Sequence, residues 1–393
     1  MRIAIVHYGE HVPKEQGYRP VRYGILAQHL TSEGHDVTRI SPSFAFAHQK
    51  QRPMTWSSSD SGEGRSVLIK VRAYRNSKSL DRYRSIQDLN SGVHNWFLKE
   101  PPFDVIVVGF PPPGIVKSIR RAVGNEIKIV ADIRDLWPDA LLPQALLGTP
   151  VEYFLKSIGK FIANELNHAS SVTALSSTML ERAPNKKQRF HVPIGFNTQK
   201  NSCNAELFPT DKQPTKFVFV GSFAPLFDFS SFLGGWAQYQ SNYTEADSAQ
   251  LLIVGGGQLQ PLVETNIRGI RNVAYLGWQN SSEIPKILCE CDIGLVPTRD
   301  GVGTTLSNKS MEYLAYGNFI AHNFTTSTHR SLSDVVDNYR VEKSNKPNWC
   351  EAFATLTKRS DEIRSKRMLR IEEAYRNFHS DHISELWDRL LFQ

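Results

Sequence analysis

Ser307-Asn-Lys-Ser-Met-Glu-Tyr-Leu-Ala-Tyr-Gly-Asn-Phe-Ile320 is the stretch on which the reading of this chain turns. It follows an apolar run, Asp292-Ile-Gly-Leu-Val-Pro297, after a polar loop. Met311, Leu314 and Ala315 have helical spacing, and Gly317 supplies a stop. Lys309 and Glu312 lie three apart and share one face near the start of that helix. Free N–H groups at a helix start attract anions. A lysine there counters a diphosphate, and a carboxylate accepts hydrogen bonds from ribose hydroxyls. The pairing suits a nucleotide-diphosphate sugar.

Working outward, 393 residues favour two domains. With 40% hydrophobic and 22% charged residues the composition is that of a globular protein. No apolar run approaches the ~20 residues of a membrane span. Met1-Arg-Ile-Ala-Ile-Val-His7 is too short for a signal peptide and reads as a first strand, so a cytoplasmic protein is expected. Cys203, Cys289, Cys291 and Cys350 have no CxxC spacing and read as reduced thiols. The net charge of +7 is uneven: residues 1–196 carry 26 Lys and Arg against 17 Asp and Glu. Lys70, Arg72, Arg75, Lys78, Arg82 and Arg84 form a dense basic patch. It fits anionic lipid head groups, or a lipid-linked diphosphate at an inner membrane face, or a solvated surface. No nucleic-acid-binding pattern accompanies the charge.

Short apolar runs alternate with helical stretches, as in parallel α/β proteins. In the first half, strands are read at Arg2–His7, Asp36–Ile40, Val67–Tyr74, Asp104–Val108, Lys128–Asp132, Ser171–Leu175 and Arg189–Val192. Helices are read at Tyr23–Glu33, Leu80–Leu98 and Val151–His168, with Ser176 or Ser177 capping another. Ser41–Gly64, polar and rich in Ser and Pro, reads as a mobile loop. After a linker, Asn197–Thr215, a second alternating unit begins. It has strands at Lys216–Val220, Gln250–Val254, Val273–Leu276 and Asp292–Val296, and helices at Phe229–Tyr239 and Ser282–Cys289. The pattern predicts two Rossmann-like domains facing a cleft, 1–196 and 197–377, with a final helix, 378–393, packing back on the first.

The ordered motifs Leu251-Leu-Ile-Val-Gly-Gly-Gly257, Val273-Ala-Tyr-Leu-Gly277, Cys291–Pro297 and Lys309–Gly317 resemble the retaining glycosyltransferase family 4, which has the GT-B fold. Gly34-His-Asp-Val37, Asp132-Ile-Arg-Asp-Leu-Trp-Pro-Asp139 and Val192-Pro-Ile-Gly195 agree. The second of these is similar to a signature of the family's bacterial surface-polysaccharide branch. The resemblance implies transfer of a sugar, with retention, from a nucleotide-sugar donor, UDP-linked, to a polysaccharide or lipid-linked saccharide acceptor. It implies a donor site of Gly221, Ser222, Gly255, Trp278, Gln279, Arg299, Thr304, Thr305, Leu306, Ser307, Asn308, Lys309 and Glu312. Glu312 matches the ribose-binding glutamate and Lys309 the branch's diphosphate lysine. Thr304 stands where the family's first, sugar-binding glutamate falls. The family's Arg and Lys after the second domain's first strand have no match in Gly221–Asp228, so Arg299, Lys309 or Arg19 and Arg22 would have to supply the charge. Gly17-Tyr-Arg-Pro20 replaces a glycine pair near the phosphates.

Asp132, Arg134 and Asp135 sit at a strand end, where open α/β sheets place ligands, and are the candidate catalytic group. Asp135 would orient an acceptor hydroxyl and Arg134 would meet acceptor phosphate; the competing reading is an internal ion pair. Arg19, Arg22 and Trp137 are the candidate acceptor contacts, Trp137 by stacking on a sugar or else as a core residue. Gly255-Gly-Gly257 reads as a tight strand-to-helix turn rather than a dinucleotide loop. With no DxD pair after a second-domain strand and no paired histidine motif, neither metal nor cofactor is expected, and His7 and His94 read as structural. Two other readings stay open: a nucleotide-sugar 2-epimerase or phosphorylase on the same fold, and a non-catalytic binding protein on a degenerate GT-B scaffold.

Overall fold

A computed structural model describes every residue except 16–17, 57–61, 77–78, 136, 138–148, 185–186, 200–207, 210–212, 300–305 and 343–347. Thr304, Thr305, Gly17, Lys78, Cys203, and Leu136, Pro138 and Asp139 of the 132–139 motif thus lie outside the described residues. Two compact units result: Met1–Pro193 with Ile383–Gln393, and Ile194–His382.

In the first unit the strands are β1 (Arg2–Val6), β2 (Asp36–Pro42), β3 (Phe44–Ala45), β4 (Lys50–Gln51), β5 (Arg65–Ile69), β6 (Val105–Phe110), β7 (Lys128–Ile133), β8 (Ser171–Ala174) and β9 (Gln188–His191). Seven form one sheet in the order β5-β2-β1-β6-β7-β8-β9, and every pair in it is parallel. Such strands are covered on both faces, which is why Ile3–Val6 and Val105–Phe110 read as unbroken apolar runs. The helix Arg22–Ser32 lies over this sheet through Tyr23, Leu26, Ala27 and Leu30. The last helix, Ser380–Phe392, packs Ile383, Trp387, Leu390 and Leu391 into the same cluster.

In the second unit β10 (Thr215–Val220), β11 (Ala249–Val254), β12 (Val273–Gly277), β13 (Ile293–Val296), β14 (Phe319–His322) and β15 (Asn338–Arg340) form a parallel sheet in the order β12-β11-β10-β13-β14-β15. Its core is aromatic: Phe217, Phe219, Phe223, Phe229, Phe232, Trp236 and Phe353 are fully buried. Each sheet reverses its winding beside its first strand, at β1 and at β10. Ligands of open α/β sheets bind outside the carboxyl ends of strands at such switch points.

Three expectations are corrected. Ser41–Gly64 is not simply a mobile loop: β3 and β4 pair antiparallel, and Ser43, Phe44, Ala45, Arg52 and Glu63 are buried. Arg52 explains the order, since its guanidinium binds Glu15 at 2.9 Å and the Pro42 and Glu10 carbonyls at 2.7 and 3.0 Å. Cys289 is disulfide-bonded, whereas Cys291 and Cys350 are free thiols. Finally, the basic patch is partly neutralised. Arg72 binds Asp88 at 2.7 Å, Arg84 reaches Asp81 at 3.5 Å, and Arg82 lies 4.1 Å over the Trp137 ring.

Candidate functional site

Residue 221 begins the site in the second unit. β10 ends at Val220, and Gly221 follows with φ +131, a conformation that side chains other than glycine avoid. Gly255, after β11, has φ +129, and a Cβ there would fall 2.0 Å from the Gly221 carbonyl oxygen. The two strand ends therefore touch backbone to backbone, locked by Gly221 N–H to Val254 O, while Gly255 N–H to Gly277 O ties the second to the end of β12. The 255–257 run is a strand-to-helix turn, with Phe223 N–H donating to Gly256 O.

The helix Asn308–Ala315 starts beside this turn. Ser307 caps it, its hydroxyl accepting from Ser310 N–H. Tyr313 fixes the rest. Its ring fills the space left by Gly294, where a Cβ would lie 2.4 Å from the ring, and its hydroxyl accepts from Val220 N–H at 3.0 Å. One side of the helix is thus tied to β10 and β13, which aims Lys309 at Gly221. A Cβ on Gly221 would stand 2.5 Å from Lys309 Nζ.

Lys309 is 7% exposed, and its Nζ has no hydrogen-bond partner among the described residues. Instead it lies 3.7 Å over the Phe219 ring and 4.9 Å from that of Phe227. Burial holds its pKa well below the usual lysine value. Phe219 and Phe227 are the residues around Lys309 that were missed from sequence. The alternation that puts Phe217 and Phe219 on one face of β10 was a usable signal, but it reads first as core.

The remaining donor candidates are dispersed around this point. Ser222, Asn308 and Arg299 are exposed, Ser307 and Glu312 are half-buried, and Leu306 is buried. Arg299 N–H is anchored to Leu226 O at 2.8 Å. Trp278 is 75% exposed after β12, and the Gln279 side chain turns back to Leu276 O.

In the first unit the carboxyl ends of β1, β6 and β7 carry a layer of buried charge pairs. Asp132, wholly buried, accepts from Arg22 Nε at 2.7 Å, Arg22 Nη2 at 2.8 Å and the Tyr23 hydroxyl at 2.8 Å. Arg22 also donates to Pro193 O and lies 5.0 Å over the Trp387 ring. Arg134 pairs with Glu10 at 2.9 Å. Burial opposes its charge, yet Glu10, Tyr23, Asp132 and Asp135 together raise its pKa. Arg39 pairs with buried Glu63, which also accepts from the Tyr18 hydroxyl. Beside them His7 is buried; burial, then Arg39, Arg52 and Arg134, push its pKa well down, so it is neutral. His94 is structural too, with Nδ1 3.0 Å from Ser118 O.

Asp132 and Arg22 consequently spend their polar atoms on one another, and Arg22 is not presented to solvent. Asp135 differs: its side chain is exposed, although the dense protein around it desolvates the carboxyl enough to raise its pKa against the pull of Arg134 and Arg82. Trp137 is half-buried beneath Arg82, and Arg19 is exposed. Next to β1 and β2 lies a cavity of about 180 Å³ lined by Tyr8, His11, Phe46, His48, Tyr74 and Arg82. Phe46 stacks on Tyr74, and His11 meets His48 edge-on. Among the described residues no group of His, Cys, Asp and Glu is arranged to hold a metal ion.

Two parallel α/β units of this Rossmann-like kind make the GT-B fold, and the comparisons agree. Residues 214–359, within the second unit, match the family model described as "Glycosyl transferases group 1". No curated protein matches the sequence. Among solved structures, sucrose-phosphate synthase from Thermosynechococcus elongatus is 13% identical with a TM-score of 0.72, covering 100% of this chain and 98% of its own. HepE from Anabaena, in complex with UDP-glucose, is 11% identical with a TM-score of 0.64, covering 100% of both chains. The E. coli structure titled trehalose-6-phosphate, bound with UDP-2-fluoro glucose, is 13% identical with a TM-score of 0.69, covering 100% and 99%.

Proposed function

We propose that this protein is a retaining glycosyltransferase. It moves a sugar from a nucleotide-sugar donor, UDP-linked, to a polysaccharide or lipid-linked saccharide acceptor. The observation that carries the reading is Lys309, a buried amine with no hydrogen-bond partner among the described residues, at a capped helix start against the Gly221 turn. An anion at that turn would supply the missing partner. The family match over 214–359 and the UDP and UDP-glucose held by similar structures support a sugar diphosphate as that anion. The resemblance to the polysaccharide branch supports retention and the acceptor class.

In the transfer the bond from the anomeric carbon to the diphosphate oxygen breaks, and its electron pair leaves on the diphosphate. Lys309 and the helix-start N–H groups stabilise that charge, a task that needs no metal. Glu312 accepts from the ribose hydroxyls. The acceptor hydroxyl, oriented by Asp135, forms the new bond on the same face and passes its proton to the departing diphosphate oxygen. The cavity lined by Phe46 and Tyr74 offers a stacking surface for a saccharide ring, with His11, His48 and Arg82 as polar contacts. The basic first unit adds peripheral contact with a membrane that carries the acceptor.

Incubation with a panel of UDP- and GDP-sugars and lipid-linked acceptors tests this, with the anomeric configuration of the product read by NMR. Unchanged turnover in Glu312→Ala would refute the site. One observation favours a binding protein instead: Gly221–Asp228 contributes no cation beside the diphosphate position. UDP binding without turnover on any acceptor would favour that reading.

A further inference from the structure

We infer that helix Pro150–Ala163 and the basic cluster beyond its end form a docking surface for an anionic phospholipid membrane. This deepens the proposed membrane contact and rests on it, but it places the contact away from the basic stretch around Arg72–Arg84.

Three large aromatic side chains stand in water on one helix: Tyr153 is 67% exposed, Phe154 65% and Phe161 77%. At about 100° per residue they fall, with Ser157 and Lys160, within one arc of roughly 120°. Those two residues are exposed as well. The opposite side is seated, with Gly159 buried and Leu155, Ile158 and Ile162 half-buried. None of the three aromatic rings has a ring partner among the described residues. Scattered exposed hydrophobic side chains are ordinary, whereas three on one arc of one helix mark an interaction surface.

The neighbouring charge names the partner. The helix runs directly into the turn Asn164–His168. His168 is held below its usual pKa by burial and then by Lys117, Arg120, Arg121 and Lys187, so four cations gather around that end. Lys117 and Arg121, on helix Ile115–Val123, are exposed. Arg120 ties the cluster together by donating to the His168, Gly124 and Ile127 carbonyls. The acid within the turn offsets only part of this charge: Glu165 accepts from the Gly114 and Lys117 backbone N–H groups, at 2.5 and 3.1 Å, and faces Lys117, one cation of the four. An aromatic arc on a helix that ends at a net excess of cations suits the interface of an anionic bilayer, where rings enter the head-group layer and Lys and Arg meet lipid phosphate. Arg72 and Arg84, by contrast, are paired with Asp88 and Asp81. No helix among the described residues is long and apolar enough to cross a membrane, so the contact is one of surface binding.

The test is sedimentation of the full chain with phosphatidylcholine vesicles, with and without phosphatidylglycerol. Binding should require phosphatidylglycerol and weaken with salt. Phe154→Ser/Phe161→Ser and Lys117→Glu/Arg121→Glu should each lower the partition coefficient by about tenfold or more. Arg72→Glu/Arg84→Glu should keep at least half of it. Circular dichroism confirms that each variant folds. Calorimetry with UDP, done without vesicles, reports on the donor site separately, so failure of one reading is not failure of the other. Absence of binding to phosphatidylglycerol vesicles would overturn the inference, as would unchanged binding in Phe154→Ser/Phe161→Ser. A concentration-dependent dimer that this double variant abolishes would also overturn it, by making the face a self-interface.

Discussion

Replacing Lys309 by methionine should make the protein more stable and a poorer nucleotide binder at once. The side chain stays unbranched and apolar along its stem, is one atom shorter and loses the ammonium. In the unliganded protein Nζ is buried with no hydrogen-bond partner among the described residues. An unsatisfied buried donor costs about 1–3 kcal/mol, and more when charged. The faces of Phe219 and Phe227, at 3.7 and 4.9 Å, return part of that, about 0.5–2 kcal/mol for a desolvated cation–π contact. The difference favours methionine by about 1 kcal/mol, or roughly 2–4 °C in Tm for a domain of this size. In the complex the balance reverses. Losing a hydrogen bond between an ammonium and a phosphate oxygen costs about 1.5–3 kcal/mol, so the Kd for UDP should rise about 10- to 150-fold.

Thermal unfolding of the free protein and calorimetry with UDP measure the two terms. Titration adds a third signature. Burial depresses the folded pKa of Lys309, so between that value and the ordinary lysine value the unfolded chain binds more protons than the folded one. Stability therefore rises with pH through that window, and the contribution disappears in Lys309→Met. A diphosphate favours the charged amine, so binding takes up a proton and UDP affinity falls as pH rises from neutral. A methionine variant that melts lower and binds UDP unchanged would refute the reasoning: Lys309 would then be a packing residue.

Three further outcomes follow from the buried groups. Asp132→Asn leaves Arg22 buried with a neutral partner and should cost about 3–5 kcal/mol in denaturant unfolding; the double change Arg22→Met/Asp132→Leu should recover most of it, and a single-variant cost under about 1 kcal/mol would show that the pair is dispensable. His322, whose pKa burial lowers to about 3 despite the hydrogen bond to Asn338, should draw stability down as the medium acidifies from about pH 6.5 towards 3, by up to about 1.4 kcal/mol per pH unit, and His322→Gln should flatten that limb. Gly255→Ala drives a Cβ into the Gly221 carbonyl and should abolish UDP binding in calorimetry, whereas Gly269→Ala, at a similarly positive φ but in open space, should cost only about 1 kcal/mol and leave UDP binding intact.

How much of this was legible in the sequence depended on how local each cause is. Apolar runs such as Ile3–Val6 and Phe217–Val220 announce buried parallel strands, because nothing but burial on both faces tolerates them. Ser307, Lys309 and Gly317 announce a helix by its cap, its charge and its stop. The short helices Ile115–Val123 and Gln260–Asn266 were not read, although Gly114 and Gly124 bracket the first and Pro261 opens the second: each is too short for its apolar period to stand out. Ser41–Gly64 misled because its serines and prolines are turn formers by composition, while Phe44, Arg52 and Glu63 are held by partners elsewhere in the chain.

The pairing of arginines with carboxylates is the clearest case of what local pattern omits. Arg22 and Asp132 are 110 residues apart, and each taken alone has the profile of a ligand-binding charge at a strand or helix end. Only the register of β1 with β6, and of β6 with β7, brings the start of the first helix over the end of β7. Once they meet, a buried bidentate pair is cheaper than either charge exposed to the interior alone. The same argument separates Lys309 from Arg22. Both are cations at helix starts, and both are buried. Arg22 found its carboxylate within the unit; Lys309 faces two rings and a glycine turn. A cation left in that state stabilises nothing in the free fold beyond its ring contacts. The anion proposed for the Gly221 turn would supply the partner that the fold does not.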